Sequence, residues 1–296
     1  MTDTAAPAFS SAFTIADEES LRGQRWHLLL LRVELLMLIF GAGFAIFQHY
    51  GQPKTAGVGA AISFVLAIVV RSFRIANHPD RNWQDGRAMA ESVKTLCWKY
   101  AMRANPFPST LSEVDADRLF VERIQDMLRQ VDHLSMTPAT VGESQQVTQW
   151  MRAVRAAPLI ERQETYEATR LLDQQRWYAS RAKASSRNQL RWAIAILLFE
   201  ACGAVVAILL IDDPEIPHAF LGLAAAFGAA AGAWVQARQF GASASAYTIA
   251  HQELAAIRAM LDYAIDETAW AEFVDSAEGA ISREHTMWQA SRSSMK

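Results

Sequence analysis

Four stretches of this chain are too apolar to be left in water. Residues 28–47 (LLLLRVELLMLIFGAGFAIF) are broken only by Arg32 and Glu34, and residues 56–70 (AGVGAAISFVLAIVV) carry no charge. Residues 192–211 (WAIAILLFEACGAVVAILLI) hold only Glu200, and residues 219–235 (AFLGLAAAFGAAAGAWV) again carry none. A bilayer core of ~30 Å takes about 20 helical residues, with a range of about 17–25. A soluble helical core could absorb one such run. Four of them, paired by short turns at 48–55 and 212–218, predict two transmembrane hairpins. The remaining sequence is polar and helical in pattern, so the fold class is all-α: an integral membrane protein with long amphipathic cytoplasmic helices.

Charge sets the expected orientation. Arg71, Arg74, Arg81, Arg87 and Lys94 follow the second run, and Arg176, Arg181, Lys183, Arg187 and Arg191 precede the third. The two turns hold one basic residue between them, Lys54. Basic flanks stay inside, so both termini and the central region are expected in the cytoplasm and Pro53 and Pro214 outside, in a multi-pass protein of the cell inner membrane. The first twenty residues lack a basic leader, so no cleaved signal peptide is expected. Cys97 and Cys202 are too few for a disulfide framework or a metal set and predict buried, reduced thiols. A net charge of −3 argues against a nucleic-acid partner.

An internal echo links the hairpins. RWHLLLLRVE (25–34) and RWAIAILLFE (191–200) share Arg-Trp and a Glu nine residues after the Arg. GAGFAI (41–46) and GAVVAI (203–208) match in a frame four residues different. Both matches suggest duplication. The anchors would be Arg25 with Trp26 and Arg191 with Trp192, each Trp at an aromatic belt. Each Glu then lies ~13.5 Å along the helix from its Arg, near the middle of the bilayer. Glu34 and Glu200, with Arg32 nearby, are the candidate path-lining residues; a structural reading, a carboxyl hydrogen-bonded to a neighbouring helix, stays open. Arg32 is two residues from Glu34, the wrong side of a helix for a direct pair.

Gly222, Ala225, Ala229 and Gly232 recur every three to four residues, and Gly228 adds a small-xxx-small pair with Gly232. This predicts a close-packing face, within the subunit or between subunits. Residues 111–135 predict an amphipathic helix with Val114, Val121, Ile124, Leu128 and Val131 on its seam, followed by a loop at 135–143. From residue 159 one helix should run into the third span, and a similar one should extend from about 243 to 288. The alternating charges Arg152, Arg155, Glu161, Arg162, Glu164, Glu167, Arg170 and Asp173 suggest a solvated face. The expected divisions are a polar tail (1–20), a first hairpin with its following helix (21–107), a helical linker (108–158) and a second hairpin with extensions (159–292). No catalytic residue, metal site or cofactor motif emerges: GVGA at 57–60 sits inside an apolar span, and no two histidines are spaced as zinc ligands on a helix.

The segments WQDGRAMAESVKTLCWKYAMRANPF (83–107), RQETYEATRLLDQQRWYASRAKASSRNQLRW (162–192) and HQELAAIRAML (251–261) resemble the SLATT membrane-effector domains. These are two-span bacterial modules found beside SMODS nucleotidyltransferases and SLOG sensor domains. The chain resembles the tandem form. The resemblance implies a pore-forming effector or ion channel in a nucleotide-dependent conflict (anti-phage) system, acting as a homo-oligomer in the lipid bilayer. Its partners would be a nucleotide second messenger or a sensor protein. A non-conducting scaffold whose cytoplasmic helices recruit a partner is the rival expectation.

Overall fold

The computed structural model describes residues 6–130, 145–213 and 215–293. The predicted loop at 135–143, the seam position Val131 and Pro214 lie outside them. Every regular element among the described residues is helical: α1 (Ser11–Phe44), α2 (Ile46–His49), α3 (Pro53–Asn77), α4 (Pro79–Ala101), α5 (Glu113–Gln130), α6 (Gln149–Ala156), α7 (Leu159–Tyr166), a π-helical turn (Glu167–Leu171), α8 (Leu172–Asp212), α9 (Ala219–Arg238), α10 (Phe240–Arg258), a 3₁₀ turn (Leu261–Tyr263) and α11 (Glu267–Ser293). Four of these stretches are long and apolar enough to cross a membrane.

The chain forms two units. The span unit comprises Gln24–Pro79 and Lys183–Ala244. The polar unit takes the described residues of Met1–Gly23, Asp80–Ala182 and Ser245–Lys296.

In the span unit, the turns are built from residues suited to them. Gly51 adopts φ +71°, open to glycine at little cost, and Pro53 starts α3 where its missing N–H is not needed. α1 then packs on α3. A Cβ on Gly59 would collide with the Phe44 ring, and one on Gly41 would come within 3.2 Å of Phe64. α8 and α9 pair through the stacked rings of Phe199 and Phe227 at 5.1 Å and through Trp192 and Trp234 at 6.3 Å. α1 also meets α9: Arg32 lies 4.9 Å over the Trp234 ring, and Gly43 faces Leu223. Away from these seams the surface is aliphatic, with Ile62, Val65, Ile68, Leu197, Leu198 and Ile208 exposed. None of the most apolar 18-residue window of the α8 stretch is buried. That surface belongs in lipid or against further helices, because water would penalise every exposed apolar Å².

The polar unit holds the aromatic core. Trp98 is fully buried and meets Tyr166 at 5.5 Å, Trp150 at 5.3 Å and Phe9 at 5.9 Å, all edge-on. Trp270 stacks on Phe273, and Tyr100 meets Phe107 and Phe120.

Several expectations change here. Residues 11–20, expected as part of a polar tail, are the first turns of α1; Ala12, Ala16 and Ser20 are buried, and Ser20 donates to the Trp83 carbonyl at 3.1 Å. The α5 seam is rotated: Ala116, Phe120 and Ile124 are buried, whereas Val114 is exposed. The long helix after the fourth span is two helices. Asp266 ends the gap by accepting the Ala269 N–H at 2.8 Å, an N-cap that starts α11 afresh. Cys97 is buried but Cys202 is exposed.

The alternating charges are not a uniformly solvated face. Arg155, Arg162 and Arg170 are buried. Arg155 donates to the carbonyls of Tyr100, Phe107, Pro108 and Leu111 at 2.9–3.3 Å. Arg162 donates to the Met102 carbonyl at 2.9 Å and pairs with Glu267. Arginine's fork lets one buried cation satisfy several chain-end carbonyls at once. The seven- and eight-residue spacing of these arginines, in step with Tyr166 and Tyr178, was the available sign that they share an inward face.

Candidate functional site

The two intramembrane carboxylates differ in every respect that matters. Glu34 is buried, at 4% exposure. Arg71 Nε meets one of its oxygens at 3.0 Å and Arg74 Nη2 the other at 2.9 Å. α3 supplies both arginines three residues apart, so each side chain reaches Glu34 from one face. A carboxylate with two guanidinium partners has its charge satisfied where it stands.

Glu200 is exposed on the outer surface of α8 and has no hydrogen-bond or ion-pair partner among the described residues. On its C-terminal side the positions four and seven residues away are Ala204 and Ala207, whereas Ile196 and Leu197 stand one turn before it.

Depth separates the two further. In the first hairpin Gly41 faces Phe64 and Phe44 faces Gly59, so the chain folds back about residue 52. In the second, Phe199 faces Phe227 and Trp192 faces Trp234, so it folds back about residue 213. Glu34 is then about 18 residues (~27 Å) from its turn, and Glu200 about 13 (~20 Å). Glu200 stands level with Phe227, midway along α9. Glu34 stands level with Arg71, where the charge-free part of α3 ends. The matching position on α8 is 195–196, and the level of Glu200 on α1 is 38–39. The GAGFAI and GAVVAI segments therefore stand at nearly the same depth in their hairpins, while the two RW-x7-E frames are about one helical turn out of step.

The aromatic anchors follow the same slip. Trp192 lies against Trp234, at the level of residue 31 on α1, whereas Arg25 and Trp26 fall rather more than one turn further from their own turn than Arg191 and Trp192 do and are exposed, Trp26 at 51%. Arg191 is exposed beside Trp192. Arg32 turns away from Glu34 and stacks over Trp234. Sequence reading took Arg71 and Arg74 only as flanking charges. Folding the first hairpin at the centre of its turn, near residue 52, would have set residue 34 opposite residue 70.

The small-residue face of α9 points away from its own hairpin. Gly222, Ala225 and Ala229 are exposed, and a Cβ on Gly222 or Gly232 would meet nothing within 4 Å. Gly228 sits on the other side, where its Cβ would approach Phe199 at 3.9 Å. Buried Ala224 and Ala231 line the same inward side, so the α8 seam does not use the Gly222–Gly232 stripe.

Two family models match the chain in succession. Residues 10–163 match the SMODS and SLOG-associating 2TM effector domain 3, and residues 166–288 match the SMODS and SLOG-associating 2TM effector domain 1. No curated protein and no solved structure gives a significant match. The first match takes in α1 and α3 and the second α8 and α9, so each supplies one hairpin of apolar helices. The first alone covers more than half of the chain, and this multi-pass membrane protein belongs to the SLATT family as two of its effector domains in tandem.

Proposed function

We propose that copies of this chain assemble into a cation-conducting path across the cell inner membrane, and that Glu200 lies on its water-facing wall. One observation carries the reading: an exposed, unpartnered carboxylate at the middle depth of an otherwise apolar helix. Facing lipid, an acidic group there would oppose insertion by about 2.5–3.5 kcal/mol. Facing water between subunits, it would not. Ala204 and Ala207 one and two turns after Glu200 and the outward stripe on α9 support close approach of a neighbouring copy. Glu34 has a different role, tying α1 to α3. The protein acts as a membrane effector of a nucleotide-dependent conflict (anti-phage) system, triggered by a nucleotide second messenger or a sensor protein, with both termini cytoplasmic and no catalytic step of its own.

Recording in planar bilayers tests this. Glu200→Gln should lower the preference for cations over anions by removing a ring of negative charge, while Glu34→Gln should leave selectivity alone. Equal selectivity in Glu200→Gln and the unaltered protein removes Glu200 from the path. A protein that never conducts, even in the presence of cyclic oligonucleotides, leaves the scaffold reading in its place. Orientation is checked by labelling Gln52→Cys in intact cells: reagent that cannot enter should reach it from outside.

A further inference from the structure

The polar unit contains a cleft of about 430 Å³ that the path reading does not use. Its volume falls within the range of roughly 300–1,000 Å³ typical of small-ligand sites. Its walls come from the segment before α1, from α4, from the π-helical turn and from the start of α8. Phe9, Lys94, Trp98, Thr169, Arg170 and Arg176 are among the lining residues.

Two of these side chains are buried donors lacking an acceptor. Trp98 is 0% exposed and Arg170 1%. Trp98 Nε1 and Arg170 Nη1 find no hydrogen-bond partner among the described residues. The rest of the Arg170 fork is fully used: Nε and Nη2 donate to the two oxygens of Glu278 at 2.9 and 2.7 Å. Glu278 also accepts from Tyr166 Oη and Thr95 Oγ1, each at 2.8 Å. The arginine is therefore fixed, with one nitrogen left over. An unmet buried donor costs about 1–3 kcal/mol, and native proteins keep few of them.

Lys94 adds a third donor. Its ammonium lies 5.6 and 5.9 Å from the rings of Phe9 and Phe13 and has no ion pair among the described residues. Burial, then the Arg170 charge, lowers its pKa. The carboxylates of Glu91, Glu278 and Asp173 pull the other way without outweighing them. Arg176 stands at the rim, and Asp173 is the one carboxylate on the same lining among the described residues. The π-helical turn carries Thr169 and Arg170 on this wall, and such turns often mark functional sites.

We infer that this cleft binds a small phosphate-bearing anion through Lys94, Trp98, Arg170 and Arg176. Phosphate oxygens accept several hydrogen bonds at once and carry the charge that Lys94 and Arg176, with Arg170 already matched by Glu278, call for against Asp173. The inference does not depend on conduction: the cleft can bind whether or not the assembly forms a path.

Pyrophosphate and AMP are the probes. Each is titrated calorimetrically into the full chain in non-ionic detergent, and again in phosphatidylglycerol nanodiscs. Saturable binding of at least one probe in detergent is expected. Undiminished affinity in nanodiscs identifies a soluble ligand, and competition by the lipid identifies a headgroup. Lys94→Gln and Arg176→Gln should each weaken binding by about tenfold or more, as losing a hydrogen bond to a charged group does. Trp98→Phe keeps the ring and removes the orphan donor, so it should weaken binding several-fold with the unfolding temperature unchanged. Absence of saturation up to about 10 mM, weaker than any useful affinity, overturns the site. So does binding that persists in the folded Lys94→Gln/Arg176→Gln double variant.

Discussion

Glu34 and Glu200 show how environment assigns work to identical side chains. Glu34 holds two arginines at 2.9–3.0 Å. Glu34→Gln keeps the shape and removes the charge, and should lower stability by about 1.5–3 kcal/mol in detergent unfolding experiments. Glu200→Gln should leave the same measurement unchanged, because Glu200 touches no partner among the described residues. In the polar unit, Glu278 accepts four hydrogen bonds while fully buried. Glu278→Ala strands Arg170 and should cost about 3–5 kcal/mol. Cys97 gives a pH signature. Burial pushes its thiol up to about 12, whereas an unfolded thiol ionises near ~8.5. Below the unfolded value both states keep the proton; above it only the folded state does. The stability tied to this thiol is therefore lost as pH rises from about 8.5 towards 12, and Cys97→Ala should flatten that part of the stability profile.

At the scale of helices, what was legible followed the strength of the periodic signal. The four apolar runs and the turns at 48–55 and 212–218 were plain, because lipid-facing helices need an unbroken apolar sequence. The long α8 was also anticipated, since no Pro or Gly interrupts residues 159–199. The break between α10 and α11 was not. It depends on a single Asp266 cap and on tertiary packing that overrides good helix-forming sequence. Asp266→Ala should cost about 1 kcal/mol, read as a fall in unfolding midpoint. The α5 seam was misjudged because the buried face runs through Ala116, Phe120 and Ile124 at four-residue spacing, which leaves Val114 on another face. The small-residue stripe on α9 was visible as composition, but only the structure tells inward from outward. Gly222→Leu and Gly232→Leu should therefore preserve the fold of one chain, where the new side chains meet open space. They should break up oligomers measured by native mass spectrometry in detergent. Unchanged oligomer mass in both would take the stripe out of any interface.

Across the molecule, the boundary between the two family matches is not a boundary in the core. The matches part near residue 164, yet Trp98, Ala101 and Met102 from the first share one hydrophobic cluster with Tyr166, Leu254, Trp270 and Val274 from the second. The Met102 carbonyl accepts both from Arg162 and from Trp270 Nε1 at 3.0 Å. Residues 1–164 expressed alone should expose this core and aggregate, and co-expression with 165–296 should rescue them as a complex, seen by co-purification. The expected linear divisions at 107 and 158 do not follow these units, because each unit collects its residues from both halves of the chain. Contacts this distant in sequence leave no local period to read.

The one-turn slip between the hairpins has an arithmetical consequence. Had the two glutamates stood at one depth, an assembly of n chains would carry 2n carboxylates in a single layer, alternating around the wall. With Glu34 neutralised nearer one end of its span, n remain. Mixing Glu200→Gln chains with unaltered ones should then give n + 1 selectivity classes by charge, one more than the number of subunits.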